Sequence, residues 1–146
     1  MKKSLFTLFL GSFLFIQMIG FTQSCELTIV VKDIKDIKGK IRIGLFSNAE
    51  NFKLKANPVD SAVIDVTSKT ISYTFKHLNN GTYAVAVYHD ENGDDILNTR
   101  QLGIPVEGFG FSNFQIKKRK PPDFEEVSFE LKADLTLNIL LSYNNK

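Results

Sequence analysis

Cysteine, histidine and tryptophan are scarce in this chain of 146 residues, which has one cysteine, two histidines and no tryptophan. The single cysteine, Cys25, excludes an intramolecular disulfide. His77 and His89 are isolated from each other and from Cys25, so the sequence lacks the ligand cluster that a structural zinc site requires. Disulfide frameworks and zinc therefore do not explain how this domain is stabilised.

A surplus of basic charge is also missing. The chain has 18 lysines and arginines against 16 acidic residues, and the two lysines among its first 24 residues account for the difference. Nucleic-acid binding needs an excess of basic side chains to neutralise phosphates, so we predict no nucleic-acid partner. The one basic cluster, Lys117 to Lys120, precedes Pro121-Pro122 and is interpreted as a solvated loop, with a surface-binding patch as the alternative.

Motifs for enzymatic chemistry are absent as well. The sequence contains no G-x-S-x-G elbow, and the glycine-rich segment Gly103 to Asn113 is not followed by a lysine in the register of a phosphate-binding loop. His89 and Asp90 are consecutive, and consecutive strand residues point to opposite faces. We therefore predict a non-catalytic protein. The alternative is a metal-assisted or His/Asp-dependent hydrolase that uses His89, Asp90 and Glu107 as acid, base or metal ligands. His89, Ser112 and Asn113 form another candidate site.

What the N-terminus does contain is a targeting signal. Lys2-Lys3 precedes a mainly apolar run from Leu5 to Phe21, and small polar residues follow. This order is typical of a secretory signal peptide. A retained membrane anchor is disfavoured because Glu26, and no basic stop-transfer flank, follows the run. We predict that residues 1–24 are a signal peptide and that the protein is exported, either periplasmic or secreted.

Cys25 opens a second interpretation of the same segment. A lone cysteine directly after a signal peptide is typical of a lipoprotein, and Ser24 supplies the small residue before it. Thr22 stands where such signals usually have leucine. A soluble exported protein is our prediction, and lipidation at Cys25 is the alternative. Only in that alternative is the membrane a partner, and the protein would then be an envelope lipoprotein subunit of a larger assembly.

The remaining residues alternate between apolar and polar with the period of β-strands. We predict hairpins between the first two and the last two strands, and a tight turn at Asn79-Asn80-Gly81. The segment Ser47 to Asp60 is predicted to be a long loop with one helical turn. The predicted strands are Leu27 to Val31, Ile41 to Phe46, Ala62 to Val66, Thr70 to Lys76, Thr82 to Tyr88, a short strand near Ile96 to Leu102, Val127 to Leu131 and Leu135 to Tyr143.

About seven strands in a mainly antiparallel order predict an all-β fold. We expect a single antiparallel β-sandwich over residues 25–146, similar to immunoglobulin or prealbumin domains. Its nearly continuous apolar strand, Thr82 to Tyr88, should be central and buried on both faces. Glu91 to Glu126 should be a long ordered loop, because aromatic residues can anchor it to the sheet. These anchors are Phe109, Phe111, Phe114 and Phe124.

The loop after the central strand carries most of the functional information. Asp90, Asn92 and Asp94 fall at alternate positions, as in loops that direct oxygen ligands at calcium. Asp95 replaces the usual glycine and Gln101 replaces the twelfth-position glutamate, so an EF-hand is not predicted. Two hypotheses stay open: a polar turn shaped by asparagine and glycine, or a calcium-stabilised loop. The predicted calcium ligands are Asp90, Asn92, Asp94, Asn98 and Glu107, and Glu107 could equally cap backbone amides.

The segments Gly81 to Gly93, Leu102 to Pro105 and Glu107 to Asn113 together resemble the bacterial family called domain of unknown function 2141. The resemblance extends to Gly39 to Phe46 and to Pro121 to Phe124. It implies a small exported β protein without an established activity. The family usually reads H-D-E-N-G-N-G-x-x-D after the central strand, and this chain departs from that pattern at three positions, with Asp94, Asp95 and Asn98.

Together these observations predict an exported, non-catalytic β-sandwich module. Its role would be binding or structural, in the cell envelope, with an envelope or extracellular ligand that the sequence does not identify.

Overall fold

The computed structural model describes residues 24–113 and 120–144. The predicted signal peptide up to Gln23, the anchor Phe114 and the basic residues Lys117 to Arg119 lie outside the described residues. The elements are β1 (Cys25–Lys32), β2 (Lys40–Phe46), α1 (Ala49–Leu54), β3 (Asp60–Asp65), β4 (Ile71–Leu78), β5 (Gly81–Asp90), β6 (Thr99–Arg100), β7 (Ile104–Pro105), β8 (Phe109–Phe111), α2 (Phe124–Val127), β9 (Phe129–Leu131) and β10 (Leu135–Leu140).

Two sheets contain most of these strands. The β1 sheet has the order β10-β1-β4, and the β5 sheet has the order β3-β2-β5-β8, with β9 also paired to β5. The pairing of β1 with β10 is parallel, whereas β1 with β4 and the pairs of the β5 sheet are antiparallel. The short strands β6 and β7 form a small separate hairpin. The predicted all-β, sandwich-like fold is confirmed. Neither helix in the described ranges is long and apolar enough to cross a membrane.

Both predicted hairpins are wrong. β1 lies in the β1 sheet and β2 in the β5 sheet, and β9 and β10 are likewise divided between the two sheets. Alternation of apolar residues shows that one face of a strand is buried, but that pattern is the same whichever sheet the strand joins. The linker after β1 crosses between the sheets, and its Ile34 is fully buried in the core.

The core between the sheets follows from the alternation. In β2, Ile41, Ile43 and Leu45 point into the core, whereas Arg42 and Gly44 lie on the other face and are only partly buried. The opposing β1 contributes its own alternate apolar residues in the same way. Burying these side chains is the main stabilising contribution, at roughly 1.5–3 kcal/mol for each large aliphatic residue.

A second apolar cluster lies on the outer face of the β5 sheet, and we call it the outer cluster. β5 is central, as predicted, but only part of it is buried on both faces: Val85 points to the core and Ala84 to the outer cluster, whereas Ala86 and Tyr88 on the outer face are only partly buried. The helical turn predicted after β2 is α1, which begins with the Asn48 side chain accepting a hydrogen bond from the Asn51 amide. The buried members of the outer cluster are Phe46, Phe52, Ala84, Phe111 and Val127, with Ala86, Phe109 and Phe124 packed against them.

Phe52 from α1 occupies the centre of the outer cluster. Its ring makes edge-to-face contacts with Phe46, Phe111 and Phe124, at centroid distances of 5.6, 5.9 and 6.0 Å. Two of these partners were predicted anchors of the long loop, and so was Phe109. The segment predicted to be a loop is not all loop, because Phe109 and Phe111 belong to β8, which pairs with β5, and Phe124 begins α2. These aromatic residues cover one end of the outer face of the sheet.

Candidate functional site

β5 ends at Asp90 and brings His89 and Asp90 to one end of the sandwich, where the segment Glu91 to Asn98, here called the acidic loop, begins. Both side chains are completely buried. They point to opposite faces, because His89 faces the interior and Asp90 lies on the outer face beside Arg42 of β2. The side chains of His89 and Asp90 therefore lie on opposite faces of the strand, as predicted.

Four hydrogen bonds occupy the Asp90 carboxylate. Its Oδ1 accepts from the backbone amides of Gly93 and Asp94, at 2.7 and 3.2 Å. Its Oδ2 accepts from Nε of Arg42 at 2.8 Å and from the amide of Asp95 at 3.1 Å. Three successive amides thus turn inwards around one carboxylate, and this arrangement fixes the first half of the acidic loop.

The same contacts set the ionisation of Asp90. Burial alone would raise the pKa of its carboxyl, but the Arg42 hydrogen bond and the amides of Gly93 and Asp95 outweigh burial, and the pKa is lowered. Folding therefore favours the ionised form of Asp90.

Asp95 stands where the resembled family pattern has glycine, and it adopts the backbone conformation that favours glycine. Its φ is 71°, a left-handed conformation that glycine adopts freely and aspartate more readily than most residues. The Asp95 carboxylate pairs with Nη2 of Arg42, and the Tyr88 hydroxyl donates to the Asp95 carbonyl at 2.8 Å. The extra carboxylate is thus directed to Arg42, which now serves both Asp90 and Asp95.

Three of the predicted ligands meet at the exposed rim of the acidic loop. Nδ2 of Asn92 and Nδ2 of Asn98 both donate to Oδ2 of Asp94, each at 2.9 Å, and Asn92 also donates to Oδ1 of Asn98. Oδ1 of Asp94 accepts from the Ile96 amide at 3.1 Å. The hydrogen bonds from Asn98 and then Asn92 lower the pKa of Asp94. The structure therefore brings these three predicted residues together, and they form a ring of side-chain hydrogen bonds.

Glu107 closes the acidic loop from the other side. Its carboxylate is nearly buried, and its two oxygens accept from the Glu91 amide at 2.9 Å and the Asn98 amide at 2.8 Å. One side chain thus joins the two ends of the loop. This is the amide-capping role that was one of its two predicted interpretations.

The five predicted calcium ligands surround one loop, but their oxygens face hydrogen-bond donors. A cation could reach Asp90 or Glu107 only by displacing the amides and the guanidinium that they bind. Among residues 24–113 and 120–144, no group of three or more histidine, cysteine or acidic side chains is arranged to hold a metal ion. As they are placed, the carboxylates of Asp90 and Glu107 accept hydrogen bonds from the amides of the loop, and these bonds stabilise it.

His89 is held by groups on both of its ring nitrogens. Nε2 lies 2.8 Å from the Lys38 carbonyl, which can only accept, so the proton is assigned to Nε2. Nδ1 lies 3.0 Å from the Tyr143 hydroxyl, which in turn accepts from the Lys35 amide at 3.0 Å. The imidazole therefore ties the linker after β1 to the residues that follow β10.

Gly39 allows that linker to approach the end of β5. Its φ is +65°, and a Cβ at this position would clash with the Asp90 carbonyl oxygen. Any side chain here would move the linker away from β5 and disturb both His89 and Asp90.

Ser112 and Asn113 fasten the end of β8 and take no part in a catalytic triad. The Ser112 hydroxyl donates to the Val127 carbonyl at 2.7 Å and accepts from the Val85 amide at 2.9 Å. Asn113 donates to the Ser128 carbonyl at 3.2 Å. The ring nitrogens of His89 contact Tyr143 and Lys38, not Ser112. These residues therefore do not form the serine-histidine-aspartate chain of hydrogen bonds that acyl transfer requires.

Cys25 is the first residue of β1, and it is buried. Its thiol donates to Oδ1 of Asn80 at 3.1 Å, and its backbone pairs opposite Leu78. A lipid attached to its sulfur could not occupy this position, so acylation would require the start of β1 to leave the sheet.

Arg42 and Tyr143 are the important site residues that sequence reasoning missed. Arg42 is a charged residue inside an otherwise apolar strand, which is a signal that could have been used. Its partner could not be deduced, because the register that brings Arg42 beside Asp90 is a property of the sheet. Tyr143 contacts His89 from 54 residues away in sequence, and no local pattern predicts such a pair.

The fold and the site define a small all-β sandwich whose acidic loop is held by internal hydrogen bonds. A family model described as an uncharacterised protein conserved in bacteria, DUF2141, matches residues 29–138. The chain belongs to this family, and the resemblance inferred from its motifs is confirmed. Comparison with curated proteins and with solved structures gave no match.

Asp90→Asn should reduce the acid sensitivity of the fold. A carboxyl whose folded pKa lies below its unfolded value of about 3.9 adds stability above that pH, and this stability is lost as the pH falls through the folded pKa. The variant should be about 1–3 kcal/mol less stable at pH 7, because Arg42 and the amides lose a charged acceptor. Urea unfolding between pH 7 and 2.5 measures both effects.

The exposed Asp60 of β3 is the matched control. Asp60→Asn should retain both the stability of the wild type at pH 7 and its steep loss of stability in acid. Equal acid sensitivity in the wild type and in Asp90→Asn would show that Asp90 does not control this property.

Proposed function

We propose that this protein is an exported, non-catalytic module with a binding or structural role in the bacterial cell envelope. One observation carries the non-catalytic assignment: the polar side chains that chemistry would need are occupied within the fold. Asp90, Glu107, His89 and Ser112 are all buried and hydrogen-bonded to backbone groups or to neighbouring side chains. Throughout the described residues, no buried side-chain nitrogen or oxygen lacks a partner.

A catalytic group must be able to exchange a proton or a bond with a bound substrate. His89 would have to break its contact with Lys38 or Tyr143 to do so, and Ser112 would have to leave two backbone groups unpaired. Breaking a buried hydrogen bond of this kind costs about 1–3 kcal/mol. These residues are therefore interpreted as parts that hold β5, β8 and the linkers in place.

Ser112→Ala should behave as a structural variant. It removes the partner of the Val85 amide and the Val127 carbonyl, so the free energy of unfolding should fall by about 1–3 kcal/mol. Ser72→Ala, an exposed position on β4, should stay within about 0.5 kcal/mol of the wild type. A fluorophosphonate probe should leave Ser112 unlabelled. Labelling of Ser112 in the folded protein would refute the non-catalytic assignment.

Two hypotheses for the acidic loop are open, a calcium-stabilised loop and a polar turn, and the amides that Asp90 and Glu107 bind support the second, a loop that folds without the ion. We expect the same thermal midpoint in millimolar calcium and in chelator. If calcium does bind, a concentration of about a hundred times its dissociation constant would stabilise the fold by roughly 2.7 kcal/mol. A calcium-dependent rise that is lost in Asp94→Asn and kept in Asp60→Asn would identify the rim of the loop as a calcium site.

Export is supported by the order of charge, apolar run and small residues at the N-terminus, and the buried thiol of Cys25 supports the soluble form. The protein isolated from its native host should have an intact mass that begins near Ser24 or Cys25. Its thiol should react with a disulfide reagent only after unfolding. A mass that retains Met1 to Phe21 would refute cleavage, and a diacylglycerol increment on Cys25 would select the lipid-anchored alternative.

A further inference from the structure

The outer face of the β5 sheet is covered at its two ends and open between them. The outer cluster covers one end and the acidic loop covers the other. Between them lies a groove of about 440 Å³, a size within the range of small-molecule sites. Its floor is formed where Gly44 of β2 pairs with Ala86 of β5.

The groove exists because these two floor residues are small. Their neighbours on the same face are large: Arg42 and Phe46 flank Gly44 in β2, and Tyr88 follows Ala86 in β5. Side chains at the rim leave apolar surface in water, since Val63 is 52% exposed and Ile96 is 59% exposed. Apolar surface around a concave floor is a feature of binding sites more than of bare monomer surfaces.

Lys55 supplies a cation at the end of the groove near the outer cluster. It follows α1, and its Nζ donates to the Phe52 carbonyl at 2.7 Å. The same Nζ lies 3.8 Å from the centre of the Phe52 ring and 5.5 Å from that of Phe111. Lys55 as a whole is exposed, but its amine lies beside two aromatic rings, and the partial burial of that amine lowers the pKa of Lys55 to about 8.

The two cations that line the groove differ in their partners. Arg42, near the acidic loop, is compensated by Asp90 and Asp95. Lys55 forms no ion pair with a carboxylate of the described residues, and only burial shifts its pKa. At the Arg42 end two carboxylates share one guanidinium, so the net charge there is negative. At the other end the Lys55 amine has no carboxylate partner among the described residues, so the charge there is positive, and it stands beside apolar surface.

We propose that this groove binds a small amphipathic carboxylate, whose apolar body lies on Gly44 and Ala86 and whose carboxylate pairs with Lys55. The inference rests on the binding role proposed above and names the class of ligand. A carboxylate would give the Lys55 amine a charged acceptor, and such charge-assisted hydrogen bonds are stronger than neutral ones. An apolar chain would cover the rim residues Val63 and Ile96.

Titration calorimetry with decanoate tests the proposal on the protein as isolated from its host. Decanoate should bind the wild type, and Lys55→Gln should weaken binding by about tenfold or more, because the ion pair is lost. Lys55→Arg should keep the affinity. Lys53→Gln, which removes an exposed lysine from the helix that Lys55 follows, is the matched control and should bind as the wild type does. Ala86→Leu should abolish binding by filling the floor.

Two further experiments test whether the ligand must carry a carboxylate. Decanol and decyltrimethylammonium should bind less tightly than decanoate, because neither can pair with Lys55. Between pH 7 and 9.5 the affinity for decanoate should fall in the wild type as Lys55 loses its proton, and it should stay constant in Lys55→Arg.

Equal binding of decanol and decanoate, or unchanged binding by Lys55→Gln, would overturn the assignment of a carboxylate. If none of the three probes binds, the proposal that the groove binds small amphipathic carboxylates is overturned. The non-catalytic assignment would be unaffected by either result, because it depends on Ser112 and its reactivity.

Discussion

The buried ion pair between Asp90 and Arg42 is the interaction on which the rest of the site depends. A carboxylate without solvent is stable only when its charge is compensated and its lone pairs are occupied. Arg42 supplies the charge, and three loop amides supply the remaining donors. The acidic loop must therefore curl around Asp90. That curl places Asp95 beside Arg42, and it forms one wall of the groove on the outer face of the sheet.

The elements could be predicted better than their partners. Thr82 to Tyr88 is nearly all apolar, and it is the central strand; the helical turn near Phe52 was also predicted. The two hairpins failed because a strand that buries one face can do so in either sheet. Among the site residues, Asp90, Asn92, Asp94, Asn98 and Glu107 could be chosen because short acidic and amide side chains recur within one loop. The roles of these residues could not be predicted, because the same acidic and amide side chains serve as ligands of a cation and as acceptors for backbone amides.

The two faces of β5 perform different tasks. The inward face, with Val85, Val87 and His89, belongs to a core in which, among the described residues, every buried side-chain nitrogen and oxygen has a hydrogen-bond partner. The outward face changes along the strand from Ala84, which is buried under aromatic rings, to the half-buried Ala86 and then Tyr88. Closely packed residues therefore border an open stretch of the outward face on a single strand. A ligand can contact the open stretch without disturbing the core.

The parallel pairing of β1 with β10 has a kinetic consequence. Leu27 lies beside Leu135, so the central strand of the β1 sheet acquires one of its two neighbours from near the other end of the chain. Contacts between residues so distant in sequence require closure of a very long loop, and folds that depend on them form slowly. A growing chain cannot complete this sheet before β10 has been made. The sandwich therefore closes only after nearly all of its own residues have been synthesised.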